Sequence, residues 1–467
     1  MRNAYRSTAS AGLAVFLLLA AATHTANADT APQQQTDDNQ ALRERVESLE
    51  ETVSLLKRQI EVRDEADASK GSQPVVGAGP DGFFLQSADK AYQIRFRGYV
   101  QADARFFTSG DVANSNPTND FYLYRVRPIV EGTVAQYIDF KIMPDFGQGK
   151  TVLQDAFFNA HYWPLAQLQV GKFKEPFGLE RLESATNLTF INRAFPTQLS
   201  PNRDIGAMLW GQWHEGLLTY QLGVFDGVVD YGSTDADNND AKDFAARVFV
   251  HPFQNSTWEP LQGLGIGFAT TVGDENGATP TYQTEGLQTF FRYNSTVQLS
   301  GERYRLSPQA YWYWGPFGTM FEWVESSSEM RNRLRTVLTD LRATNTAWQI
   351  SASYVLTGEN ASYGAVIPRA DFSPTKGTWG AYQIAARYGE LHVDDAVFDD
   401  GFANLANSAK TARELTVGLN WYLNRFLKWQ LNFGHTWFDG GANGSQPGAT
   451  SNRAAENVIV TRFQIQY

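Results

Sequence analysis

What most constrains this chain is a period-two alternation of apolar and polar side chains. It begins at Tyr92 and returns, segment after segment, to the last residue. In 92–107 the even positions are Tyr92, Ile94, Phe96, Gly98, Val100, Ala102, Ala104 and Phe106, and the odd ones include Gln93, Arg95, Arg97, Gln101, Asp103 and Arg105. Successive side chains of a strand point to opposite faces, so this segment has one apolar and one charged face. A strand between lipid and water needs that division, and so, in the reverse sense, does a strand of a soluble sandwich. Aromatic placement separates the two. Residues Phe, Trp and Tyr make up 13% of a chain whose mean hydropathy is only −0.37. Tyr304, Leu306, Pro308, Ala310, Trp312 and Trp314 share one face, opposite Arg303, Arg305, Ser307, Gln309, Tyr311 and Tyr313. Aromatics massed at the end of an apolar face suit the interfacial girdles of a bilayer.

Fourteen more segments alternate in this way: 121–134, 138–146, 153–163, 165–173, 205–213, 217–225, 244–251, 263–272, 318–326, 345–356, 378–390, 413–424, 426–437 and 456–467. With the two above they make sixteen, and the apolar pieces 83–86 and 287–293 are left over. A barrel with both ends of its chain in the periplasm has an even strand number. Short links such as 315–318 and 424–425 then belong to the periplasmic end, and long ones such as 226–243, 391–412 and 438–455 to the outside. Counted back from the C-terminus, this holds only if 273–301 is one outer connection, which makes 287–293 loop. The closing run Phe463-Gln464-Ile465-Gln466-Tyr467 suits a last strand paired with the first, leaving no edge in lipid. The expected fold is all-β: a sixteen-stranded antiparallel transmembrane β-barrel with a short N-terminal coiled-coil helix.

The start of the chain predicts export. Arg2 and Arg6 precede the apolar run Ala11–Ala22, and Ala26-Asn27-Ala28 fits a cleavage site, so 1–28 reads as a signal peptide. Next, Leu42, Val46, Leu49, Val53, Leu56 and Ile60 recur at alternating spacings of four and three, a coiled-coil seam over 42–62. β-branched residues at one seam position and Leu at the other favour a dimer. Glycines and Pro80 make 64–80 a linker, so 29–80 is expected to stand in the periplasm before a barrel of 81–467. The net charge of −11 argues against a general nucleic-acid binder, and the absence of cysteine excludes thiol chemistry and Cys-ligated metal.

The runs Gly82–Asp89 (GFFLQSAD), Phe96–Asp103 (FRGYVQAD) and Val170–Glu180 (VGKFKEPFGLE), with Trp348–Glu359 and Thr416–Leu423, resemble the phosphate-selective porin O and P family. The likeness extends over about 82–467. It implies a trimeric outer-membrane channel of sixteen strands, with the loop 174–204 folded inward to form a constriction. It also implies inorganic phosphate or another small anion as the passing solute and no cofactor. In the resembled porins this loop carries a basic residue after Gly-Leu-Glu, a small hydroxyl three positions on and a later arginine. Here those positions are Arg181, Ser184 and Arg193, the expected anion constriction. Glu183 and Thr186 depart from the pattern, since an acid beside Arg181 weakens anion binding.

A phosphate pore must replace hydration with fixed donors and positive charge without trapping the ion. Arginine supplies a charged, rigid fork that matches phosphate oxygens. The inward faces offer a ladder of Arg95, Arg97, Arg125, Arg127, Arg247, Arg303 and Arg305, with Arg105, Lys141, Arg387, Lys428 and Arg462 beside them. Facing these are Asp103, Glu131, Asp139, Asp145, Asp155 and Glu322. The competing expectation is that wall arginines simply pair with wall acids. A general or carbohydrate porin is the alternative within transport, and a plugged structural or adhesive barrel the alternative outside it. Catalysis is not expected: Gly149-Lys150-Thr151 lacks the leading glycine of a P-loop, His214-Glu215 lacks the second histidine of a zinc helix, and His161, His251 and His435 are scattered.

Overall fold

The computed structural model describes residues 32–71, 73–79, 82–108, 118–235, 239–333, 339–442 and 452–467. The expected signal peptide, 1–28, lies outside them, as does Pro80 of the expected linker. The chain divides into two units at Ser72. The first holds one helix, α1 (Pro32–Gly71), longer than the seam read from the heptads. It extends past 42–62 at both ends, beginning with Pro32 in the first turn, where proline is tolerated, and ending at Gly71. The seam residues Val46, Leu49, Val53, Leu56 and Ile60 are all about half exposed in the single chain.

The second unit is a closed antiparallel barrel. Its strands in chain order are β1 (Val75–Gly79), β2 (Gly82–Gln86), β3 (Gln93–Phe107), β4 (Asp120–Val134), β5 (Ile138–Asp145), β6 (Val152–Trp163) and β7 (Ala166–Lys174). There follow β8 (Arg203–Trp213), β9 (Leu218–Phe225), β10 (Asp243–Val250), β11 (Leu264–Ala278), β12 (Thr281–Gln283) and β13 (Thr289–Arg292). The rest are β14 (Val297–Trp314), β15 (Phe317–Asn332), β16 (Thr339–Val355), β17 (Ala381–His392), β18 (Ala409–Tyr422), β19 (Leu427–Gly440) and β20 (Glu456–Gln466). Sixteen of them, β3–β11 and β14–β20, pair each with its neighbour, and β20 returns to β3 with Val100 opposite Ile465 and Ala104 opposite Thr461. The leftover pieces find separate uses. Residues 83–86 form β2, which pairs with β1 and with the first four residues of β3, beyond the point where β20 lets go. Residues 289–292 pair only with β12, off the wall.

Alternation becomes geometry in every wall strand. On β20, Val458, Val460, Arg462 and Gln464 are buried inside, while Phe463 and Ile465 are 63% and 47% exposed on the outer face. Trp312 and Trp314 stack at 6.4 Å on the outer face, and Tyr382 and Trp421 at 5.7 Å, both near the end that carries the C-terminus. The wall is not of even height. Strands β5, β9 and β10 have 8 residues each, whereas β14, β15 and β16 have 18, 16 and 17.

The apolar core lies inside the barrel. Phe177, Phe195 and Leu199 from the connection 175–202, Tyr282, Phe290 and Phe291 from 279–296, and Val397 and Phe402 from 393–408 pack into one buried cluster with Ala343, Ala347 and Ala412 of the tall strands. The connection expected as 273–301 is shorter, because β11 and β14 extend past the membrane edge and leave 279–296 between them. The small hairpin β12–β13 closes over 175–202: Gln198 and Gln283 bond each other, and Phe195 meets Phe290 at 5.9 Å.

Candidate functional site

The connection 175–202 crosses the lumen because side chains from well-separated strands seize its backbone. Gly178, with φ +76°, turns two successive amides toward the wall, where the Glu322 carboxylate of β15 accepts the Leu179 N–H at 2.6 Å and the Glu180 N–H at 3.2 Å. A left-handed φ is cheap for glycine alone, and a Cβ here would press on Arg181 and Glu322 at 3.1 Å. On the opposite side, Gln101 of β3 donates to the Ala185 carbonyl at 3.0 Å, Lys428 of β19 to those of Thr186 and Leu188 at 3.0 Å, and Arg462 of β20 to that of Ile191 at 2.8 Å. Arg387 of β17 donates to the Asn192 carbonyl at 2.9 Å and lies among Glu180, Glu285 and Glu414. Basic and amide side chains of β3, β17, β19 and β20 are therefore anchors.

Against the short wall the lumen stays open. One cavity of about 900 Å³ reaches from Gln148 and Lys150 near one end of the barrel to Arg425 and Tyr467 at the other. Arg181, Ser184 and Arg193 all line it, joined by Arg125, Lys174 and Arg203. Arg181 donates to the Thr197 carbonyl at 2.6 Å and lies 5.0 Å from the Tyr231 ring, and its Nε has no partner among the described residues. Arg193 donates to the carbonyls of Glu180 and Glu183 at 2.9 and 2.8 Å, Lys174 to those of Leu182 and Glu183, and Arg125 to the Gln101 amide oxygen at 2.7 Å. None of these four has a carboxylate partner among the described residues. They are close enough to repel one another: burial and then Arg193 push the Arg181 guanidinium down to about 9, still charged at neutral pH. Ser184 is exposed to the cavity, its hydroxyl 3.0 Å from that of Thr186.

The seven ladder arginines divide. Arg97, Arg125 and Arg127 line the cavity, and Arg97 and Arg127 are paired with Glu131 and Asp145 at 2.9 and 2.7 Å. Arg95 and Arg247 lie outside its lining; Arg247 donates to Gln221 and Gln309 and covers Phe249. Arg303 and Arg305 do not serve as ladder rungs. They are fully buried and bound to Asp243 of β10, Glu275 of β11 and Asp230, which the connection 226–242 brings over them. Three site members are absent from the sequence expectation: Lys174, which stands there only as the first residue of the inward loop 174–204; Glu322, which stands only among the wall acids; and Tyr231, whose connection carries no local signal for the site. Among the described residues no group of His, Asp and Glu can hold a metal ion.

The profile of the family described as Phosphate-selective porin O and P matches residues 94–467. Porin O of Pseudomonas aeruginosa is 23% identical over 376 residues, covering 74% of this chain and 83% of its own. Among solved structures, the outer-membrane channel DcaP of Acinetobacter baumannii superposes with a TM-score of 0.52 at 11% identity, over 84% of this chain and 99% of that one. OmpT of Vibrio cholerae, at 9% identity, covers 81% of this chain and 98% of its own with a TM-score of 0.48.

Proposed function

Because the chain belongs to the phosphate-selective porin O and P family, and is thus an outer-membrane porin and not an enzyme, we propose that it passes small anions, inorganic phosphate first among them. The observation that carries this reading is the group Arg125, Lys174, Arg181 and Arg193, four cations on one cavity with no carboxylate partner among the described residues. Their bonds to carbonyl and amide oxygens hold each in place and leave the charge uncancelled. Charge-assisted hydrogen bonds contribute about 1.5–3 kcal/mol each before desolvation, enough to attract an anion and let it leave. Ser184 adds a neutral donor within the same cavity. Arg97 and Arg127, being ion-paired, contribute field more than binding.

The reading extends to assembly. An 8-residue strand tilted in a barrel covers about 20 Å, less than the apolar band of about 25 Å, while the 18 residues of β14 cover about 45 Å. We propose that β5–β10 pack against other copies in a homotrimer, with the half-exposed seam of α1 joining those copies in the periplasm. A sugar channel is the second reading, prompted by Tyr311, which stacks on Tyr363 at 5.2 Å and lies 5.2 Å from Tyr313. None of the three rings lines the large cavity, so the anion reading stands ahead. Current through planar bilayers under a KCl gradient tests all three classes. An anion-signed reversal potential supports the proposal, block by sugars the second reading, and absence of current a barrel plugged by its inward loops. Phosphate set against chloride then ranks the anions.

A further inference from the structure

The departure at Glu183 is the least comfortable feature of an anion site. Its peptide carbonyl joins two of the site cations, accepting from Arg193 at 2.8 Å and from Lys174 at 2.9 Å. Its side chain goes elsewhere. Leu182 and Ser184 line the large cavity and Glu183 does not; it lines a separate space of about 20 Å³ with Glu180, Phe190, Tyr313 and Ser353. The residue is 6% exposed, and no hydrogen bond to its carboxyl is formed among the described residues.

We infer that Glu183 is a proton-controlled attenuator of anion selectivity, working on the site proposed above. Protonated, it leaves the four-cation group uncompensated; ionised, it cancels one unit of that charge from behind the loop. The charged and titratable groups around it come from every neighbouring element. They are Glu180 and Arg193 on the same connection, Lys174 on β7, Lys428 on β19, and the phenols Tyr313 on β14, Tyr422 on β18 and Tyr363 on the connection 356–380. Burial first, then Glu180, pushes the Glu183 carboxyl up to about 8, against the pull of Arg193, Lys428 and Lys174. The sign follows. Below about pH 8 the carboxyl is neutral and the site is at its most positive; above it the carboxylate forms and selectivity falls.

The inference rests on the anion-channel reading, and one measurement distinguishes their failures. Reversal potentials of the full chain in planar bilayers are recorded under a KCl gradient from pH 6 to 9, since chloride and potassium do not titrate. The wild type should lose anion preference by roughly fivefold between pH 7 and 9, the effect of one unit charge a few ångströms beyond contact. Glu183→Gln should hold its pH 7 value to about pH 8 and lose beyond it only what the Arg181 guanidinium, pushed down to about 9, gives up, and Glu183→Ser serves if that variant does not insert. A wild type that is anion-selective but flat with pH overturns this inference alone. So does a Glu183→Gln channel that declines as the wild type does. A channel with no anion preference even at pH 6 overturns both readings.

Discussion

The two halves of the barrel wall carry the same residue types inward and leave different amounts of open lumen beside them. On β14 and β17–β20, Arg303, Arg305, Arg387, Lys428 and Arg462 are buried and committed to carboxylates or to loop carbonyls. On β4–β8, Arg125, Lys174 and Arg203 line an open cavity, Lys174 while also donating to the Leu182 and Glu183 carbonyls and Arg203 while paired with Asp155 at 2.7 Å. The difference does not lie in the strands. It lies in where the connections 175–202 and 279–296 come to rest: they fill the lumen against the tall wall and leave a passage along the short one. An inward arginine borders open lumen where water reaches it and is a fastener where a loop does.

Reversing one site charge should break this comparison most severely. Arg181→Glu is expected to reduce anion preference by tenfold or more, an order-of-magnitude figure for a change of two charges in a narrow lumen, read as a reversal potential. A channel keeping wild-type preference would move the filter away from the 175–202 loop. Next come two matched substitutions, one on each half. Arg462→Met strands Asp103, which it now meets through two bonds at 2.7 Å, and should cost about 3–5 kcal/mol, visible as easier thermal unfolding in detergent. Arg125→Met should leave unfolding within about 1 kcal/mol of wild type and lower anion conductance about twofold. Equal losses of stability in the pair would erase the distinction between the halves. Glu322→Gln sharpens it at the latch, weakening two backbone bonds by about 1 kcal/mol in all and raising open-channel noise. Asp400→Asn, exposed on an outer connection, should change nothing beyond error, because charges are screened over about 8 Å at physiological ionic strength.

The barrel was legible because lipid enforces a rule that sequence can express. Every wall strand must be apolar on alternate positions, and parity then decides which leftover piece stays out of the wall. In Tyr304–Trp314 the apolar positions of the sequence are the outer face of β14 for that reason. Pairing inside the lumen follows no such period. Nothing local in Arg303 or Arg305 distinguishes it from Arg125, since the acids that claim those two arrive on β10, on β11 and on the connection 226–242. Likewise Phe177, Leu199 and Phe290 look like loop hydrophobes of no pattern, and only the folded lumen gives them a common core. Helix α1 went the other way: the heptad pattern covers 42–62, and the helix runs past it at both ends, from Pro32 to Gly71.

The seam between β20 and β3 has a consequence for how such a molecule is made. It joins residues such as Arg462 and Asp103, 359 positions apart, and it is fastened at its base by mutual backbone bonds between Gly98 and Tyr467 at 3.1 and 3.0 Å. No other wall pairing spans comparable chain, so its loop-closure entropy is the largest and its formation the slowest of the set. Until that contact forms, every precursor presents two bare strand edges, each a template for pairing with the wrong chain. Biogenesis therefore turns on the last dozen residues. Deleting them removes no filter element of the Arg125–Arg193 group, yet it should abolish insertion, with the accumulated product found as aggregate or as fragments cut in transit.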